Sequence, residues 1–469
     1  MKKLLLLNFF LFAIALTTIG QHSQSLYYME RLPQVTSMNP AIQPVSNFYL
    51  GFPVISNVNL NIGNNTLSFD DVIFESEEVG SKITFLHPSY NIDNFLNKLN
   101  DNNDIFTEFS TNIFNIGFRA GDSYFTLNVQ EKSDIRMSYP KDLATILLKG
   151  NEDFKGKTAE FGNFSAFSSH YLEYSLGYSQ EISDELTFGV NVKYLNGLGL
   201  LKSKDFDLGL YTSEEGDSLS LTSDISLQGS APVTVNTDSS NYIEDIESRD
   251  IEVSDLTSNP GFAFDFGATY EVMDDLQLSA SVVDLGFINY NNTSAHNYTI
   301  KGQYSFTGVD VSDEFGNEES TDPMENLEDS LKEEVKIEYS DQGFLHFLGP
   351  KIYVGARYYL HERVDFGLLS RTQFYNGRML QSFTLSANTR PIRGISLTAS
   401  YSVLNNSYNN LGLGLILRLG PFQVYAMSDT FSAGLWPHKT QSFNMRFGLN
   451  FAFGNNPKKR ILNNEPMIR

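Results

Sequence analysis

Eleven charged side chains fall on the polar face of stretches in which every second residue is apolar: Arg119, Glu173, Lys193, Asp265, Glu271, Arg357, Asp365, Arg371, Arg390, Arg418 and Arg446. Side chains on a strand alternate between two faces. These eleven therefore share the side of a sheet that the apolar residues avoid. Cations and carboxylates lining one wall can select a solute or grip an inserted segment through charge-assisted hydrogen bonds. The plainer reading is solvation and ion pairing across a polar barrel interior.

Catalytic chemistry has little to stand on. The seven histidines are scattered, with no H-E-x-x-H and no G-x-S-x-G. His170, His346 and His438 could meet at the barrel rim beside loop carboxylates, the one arrangement that would suit a hydrolase. The competing reading is ordinary polar rim residues. With 0 Cys there are no disulfides, thiolate metal sites, cysteine nucleophiles or lipidated cysteine anchors. From Asp310 to Asp341 only Lys332 and Lys336 offset the acids. Carboxylates favour divalent cations, but no EF-hand spacing is present, and a solvated acidic face explains the run. The expectation is a non-enzyme with no catalytic residue, no metal and no cofactor. The net charge of -23 also argues against nucleic acid as a partner.

The elements that must position these charges are strands. In Gly261 to Phe287, Phe262, Phe264, Phe266, Ala268, Tyr270 and Val272 alternate with Ala263, Asp265, Gly267, Thr269 and Glu271. Asp274-Asp275 makes a turn, and Leu276, Leu278, Ala280 and Val282 resume the apolar face. A continuous aromatic face opposite one too polar for a core predicts a membrane barrel hairpin, with lipid outside and water or a plug inside. A barrel exposes only alternate residues to lipid, so the mean hydropathy of -0.23 is no obstacle.

Residues 1–20 read as a signal peptide, with Lys2-Lys3 before the apolar run Leu4 to Ile19, too short to span a bilayer as a helix. Residues 21–46 hold Pro33, Pro40 and Pro44, which exclude regular helix or central strand. They form either an irregular N-terminal hatch in the periplasmic mouth or a periplasmic leader. The barrel spans 47–454, beginning with a strand from Asn47 to about Leu60, and residues 455–469 are a polar periplasmic tail. Short helices are predicted around Ile92 to Leu99, over Pro140 to Lys149 with Gly150 as cap, and over Pro323 to Glu338. About fourteen strands result, and alternating short turns and long loops place both termini in the periplasm. Trp436 sits in the last long loop as an interfacial anchor or a partner contact.

Asn39-Pro40-Ala41, set just before the first strand, resembles the hatch motif of the FadL-like outer-membrane barrel superfamily. Together with Leu32-Pro33-Gln34 and Tyr139-Pro140-Lys141-Asp142-Leu143, it is most similar to outer-membrane barrels of Bacteroidota related to PorV and PorP of type IX secretion. The resemblance implies a fourteen-stranded all-β barrel in the outer membrane, in contact with lipid and lipopolysaccharide. It further implies a passive channel for a hydrophobic or amphipathic small molecule. The alternative it implies is a structural or assembly partner of a secretion machinery or a surface lipoprotein, or a cell-surface scaffold.

Overall fold

The computed structural model describes residues 24–76, 80–231, 233–239, 242–248, 257–291, 293–306, 337–361, 363–375, 378–392, 394–404, 407–435 and 440–455. Fourteen antiparallel strands close into one barrel. They are β1 (Phe48–Gly51, resuming as Val58–Asn64), β2 (Asn102–Ala120), β3 (Ser123–Pro140), β4 (Ser165–Glu181) and β5 (Leu186–Thr212). Then come β6 (Asn259–Met273), β7 (Leu276–Tyr290), β8 (Lys351–His361), β9 (Val364–Tyr375) and β10 (Arg378–Ile392). The last four are β11 (Ile395–Leu404), β12 (Ser407–Leu419), β13 (Phe422–Ser428) and β14 (Ser442–Phe453). Each strand pairs with its neighbours in the chain, and β14 pairs with both pieces of β1, so no edge remains.

The two faces separate as the alternation predicts. Phe262, Phe264 and Phe266 are 50%, 42% and 42% exposed, while Ala263 and Asp265 between them are fully buried. The same outward apolar set runs through Val354, Tyr358, Leu368, Leu385, Tyr401, Leu413, Val424 and Phe447. A continuous exposed belt of Phe, Tyr and Leu around a polar interior belongs in lipid rather than water.

Several boundaries differ from the sequence reading. β1 is interrupted: Phe52 to Ile55 bulge outward and Ser56-Asn57 turn back inward before pairing resumes. β2 begins at Asn102, directly after the insertion that follows β1. The helix near Pro140 runs Lys141–Lys149, with Pro140 at its N-cap rather than its first turn. It packs Ala144 and Leu148 against Phe95 and Leu96 of the helix Ile92–Leu96 and against Leu99 beyond it, and Leu147 faces solvent. β5 is the longest strand described. It continues to Thr212 and pairs with Leu219–Ser230, which pairs in turn with Ala295–Phe306, raising a sheet beyond the barrel. The helix expected over Pro323 to Glu338 lies mostly outside the described residues, and its last two, Ile337 and Glu338, are in strand. Tight connections occur at both ends after β8: Tyr375 to Arg378 and Leu404 to Ser407 each span two residues. The alternation of turn lengths therefore holds only for the first half, which makes the barrel tall over β2 to β7 and low over β11 to β13.

Candidate functional site

Residues 24–46 fill the tight-turn end of the lumen. Two 3-10 turns, Gln24–Tyr28 and Pro33–Ser37, replace the regular helix that the prolines forbid. Leu26, Tyr27, Leu32 and Val35 are buried against Val283, Tyr353, Leu369 and Ile416 of the wall. Tyr27 stacks on Tyr353, with ring centroids 5.6 Å apart. The segment is thus a plug, and polar contacts tie it to strands around the whole circumference. The Gln24 and Ser25 amides donate to Asp429. Tyr28 Oη donates to the Leu368 carbonyl at 2.7 Å, Gln34 Nε2 to Asn450 at 2.9 Å, and Ser281 Oγ to the Met38 carbonyl at 2.7 Å.

The Asn39-Pro40-Ala41 turn has a seat made for it. Asn39 Oδ1 accepts from the Ala41 amide at 2.9 Å, and Asn39 Nδ2 donates to Tyr27 Oη at 3.0 Å. Gly189 of β5 and Gly267 of β6 face each other across the ladder. A Cβ on Gly189 would run into the Pro40 backbone, and one on Gly267 into the Asn39 side chain. Gly355 and Gly367 make the same allowance for Tyr28. Glycine here serves close approach, not turn geometry.

Two buried ionic clusters brace the lumen. In the first, Arg357 grips Asp365 through Nε and Nη2, both at 3.0 Å, and reaches Glu30 of the plug through Nη1 at 2.5 Å. Arg390 approaches Asp365 at 3.2 Å. In the second, Lys193 lies 2.8 Å from Asp265, 2.7 Å from Asp284 and 3.5 Å from Glu173. Lys132 bridges Glu173 at 2.6 Å and Asp284 at 3.6 Å, and Lys351 reaches Asp284 at 2.8 Å. Three ammoniums thus face three carboxylates, the balance that buried charges require.

Asp284 owes its place to a bulge. The β6–β7 register shifts between Phe264 and Phe266, so Val283 and Asp284 both point inward. Asp284 takes φ 61, and its amide donates to Asp265 Oδ1 at 2.8 Å. Aspartate tolerates the left-handed region better than most residues. Opposite the bulge β8 is also broken: Phe344–Phe347 pairs with upper β7, Leu348 to Pro350 bends away, and β8 starts at Lys351.

Above the plug lies a cavity of about 410 Å³. Ser37 and Met38 of the plug line it, together with Phe109, Phe167, Tyr171, Tyr353, Phe374 and Tyr375, and the charged Glu108, Lys132, Asp134, Asp284, Lys351 and Arg446.

Of the eleven charged positions singled out in the sequence, Glu173, Lys193, Asp265, Arg357, Asp365, Arg371, Arg390 and Arg446 are buried inside the barrel. The other three lie at the tight-turn end: Arg119 grips the plug, donating to Gln43 and to the Pro44 carbonyl at 3.0 Å, Glu271 accepts from Gln277 at 2.6 Å, and Arg418 holds Asn455 at 2.8 Å. His170 and His346, two of the three histidines that could have met at the rim, do not meet. His170 lies between the inward Ser169 and Tyr171 and contacts Glu131 at 2.9 Å on the outer face, while His346 lines the cavity. The barrel wall stands between them, and His438 and Trp436 lie outside the described residues. Sequence reasoning missed Lys132, Asp284, Lys351, Glu108 and Arg136. The consecutive apolar pair Val282-Val283, which breaks strict alternation, was the available signal for the Asp284 bulge.

Among the described residues no group of three His, Cys, Asp or Glu is placed to hold a metal ion. A family model, described as a family of unknown function (DUF5723), matches residues 40–429. The chain belongs to DUF5723. No curated protein sequence matches this DUF5723 member. Solved structures similar to it include the toluene transporter TbuX of Ralstonia pickettii, at 10% identity, 90% of this chain, 94% of that one and a TM-score of 0.39. A FadL homologue of Pseudomonas aeruginosa is similar at 10% identity, 94% of this chain, 100% of that one and a TM-score of 0.43. The P. putida toluene transporter TodX is similar at 9% identity, 89% and 93% coverage, and a TM-score of 0.37. At scores below 0.5 these likenesses add nothing to the architecture already given by strand pairing.

Proposed function

We propose that this DUF5723 protein is an outer-membrane channel that takes a small amphipathic molecule into its lumen from the long-loop side, both termini being periplasmic. The observation that carries this reading is the cavity of about 410 Å³, lined by aromatic rings and charges and floored by the plug. Cavities of such size and mixed lining are built for ligands rather than left to chance. The plug blocks the straight path, so passage needs a displaced plug or a gap in the wall.

The interruption of β1 lies beside the plug and favours the wall. The Ser56 carbonyl accepts from plug residue Gln34 at 3.0 Å and from Tyr425 Oη at 3.0 Å. Phe52, Val54 and Ile55 project outward from the same turn. Val54 has φ 66, a costly conformation for a β-branched residue. Strain kept in a barrel wall beside a plug suits a place where the wall must give.

The test is uptake into liposomes carrying the purified barrel, using a panel of aromatic and aliphatic amphiphiles against empty liposomes. Saturable uptake of one chemical class, lost when residues 52–57 are shortened to a regular strand, supports the channel. Uptake equal to that of empty liposomes for every class overturns it. The second reading, a surface assembly partner, is favoured by the raised sheet of upper β5, Leu219–Ser230 and Ala295–Phe306, a platform larger than barrel closure requires.

A further inference from the structure

A second cavity, of about 430 Å³, lies at the long-loop end. Arg136 and Tyr375 separate it from the inner one: the Arg136 guanidinium stacks 4.5 Å from the Tyr375 ring centroid, and Tyr375 and Lys202 line both chambers. Arg136 is 6% exposed. Its Nε donates to Asp134 at 2.9 Å and its Nη2 to Glu108. Both acids belong to the inner chamber. Its Nη1 has no hydrogen-bond partner.

Lys202 and Lys204 of β5 line the outer chamber with Arg136, and neither makes an ion pair among the described residues. The lining carboxylate, Asp104, is already engaged by Ser138 Oγ and by Asn65 Nδ2 at 3.0 Å. The chamber therefore holds unspent cationic donors while its one lining carboxylate is engaged. In a chain of net charge -23 such a pocket stands out. It focuses an attractive field on anions entering between the loops.

We propose that this outer chamber binds the oxyanion of a phosphate or sulfate ester, held between Arg136 Nη1 and the Lys202 and Lys204 ammoniums. The chemistry of the donors makes the choice. A carboxylate is best met by a guanidinium fork, and two arms of this fork are already taken by Asp134 and Glu108. What remains is the Nη1 NH2 group from β3 and two ammonium point charges from β5, which matches the several oxygens of a tetrahedral anion. The binding claim goes beyond the channel reading and does not depend on it, since occupancy of the outer chamber is measured without passage.

The experiment is calorimetric titration of the full barrel in a phosphate-free maltoside detergent with glycerol 3-phosphate and with inorganic sulfate. A parallel arm measures binding to vesicles with and without phosphatidylglycerol, which separates a soluble ester from a lipid headgroup. The expected result is salt-sensitive binding in at least one arm, weakened at least about ten-fold by K202Q/K204Q and kept by K202R/K204R. Both double variants leave the Arg136 contacts with Glu108 and Asp134 in place, so loss of binding with unchanged thermal unfolding reads the site itself. No binding in either arm, or equal binding by the wild type and K202Q/K204Q, overturns the proposal.

Discussion

Glu30 and Arg357 form an ion pair of 2.5 Å with side chains 4% and 2% exposed, joining the plug to β8. The same guanidinium is bidentate on Asp365, so plug and wall share one cation. Glu30→Gln keeps the Asp365 contacts while removing the charge on the plug. Breaking one side of a buried pair costs about 3–5 kcal/mol. Hydrogen exchange should therefore show residues 24–46 losing protection while β2 to β7 keep theirs. Unchanged protection of the plug would show that this ion pair does not hold it.

The paired glycines behind Asn39-Pro40 give a steric prediction. Gly267→Val places carbon where the Asn39 amide now sits. The plug must shift or leave, and single-channel recordings should change from silent to noisy. A valine at Gly420, which has open space around it but φ 62, should cost some stability and leave the recordings silent. Silence in both variants would show that the seat is dispensable.

Asp284 contacts Lys132, Lys193 and Lys351 within 4 Å. Asp284→Ala leaves three buried ammoniums facing two carboxylates, and a loss of about 3–5 kcal/mol is expected in denaturant unfolding. Adding Lys193→Met should return part of it, because one uncompensated charge leaves with the lysine. Strict additivity of the two losses would refute the coupling.

Val54→Gly relieves a left-handed backbone that costs a valine about 1–2 kcal/mol. Because Val54 is 53% exposed, little packing is lost. The thermal midpoint should hold or rise, and liposome uptake should slow if the strained turn is what lets the wall open. A lower midpoint together with normal uptake would detach the strain from function.

The barrel was legible because its exterior obeys one rule. The run from Phe262 to Val282 needs only a period of two to be read as a lipid-facing hairpin, and the same holds from Lys351 to Phe453. Where the rule breaks, the reading failed. Phe52 to Asn57 passed for plain strand although Pro53, which cannot donate to a ladder, was the available signal; β14 takes the Ile55 carbonyl and the plug the Ser56 carbonyl. Asp284 was invisible because a bulge shifts it off the count. Lys132, Asp134 and Arg136 lie in a stretch poor in apolar markers, so their facing became clear only when β3 had partners on both sides. His170 and His346 are a pair that proximity in loops suggests and the thickness of a wall forbids. The Asn-Pro-Ala turn was readable as a plug motif, whereas the glycines that receive it lie on two other strands.

β13 is seven residues long, while β12 and β14 beside it have thirteen and twelve. A tilted strand needs roughly 9–11 residues to cross the hydrocarbon. Beyond Ser428 the surface is completed by the short helix Phe431–Leu435, with Phe431 turned outward. A bilayer of even depth cannot match this flank and the tall one opposite at the same time. Beside β13 the lipid thus meets a wall finished by a helix and one outward phenylalanine instead of by strand, the condition under which hydrophobic mismatch thins a bilayer locally.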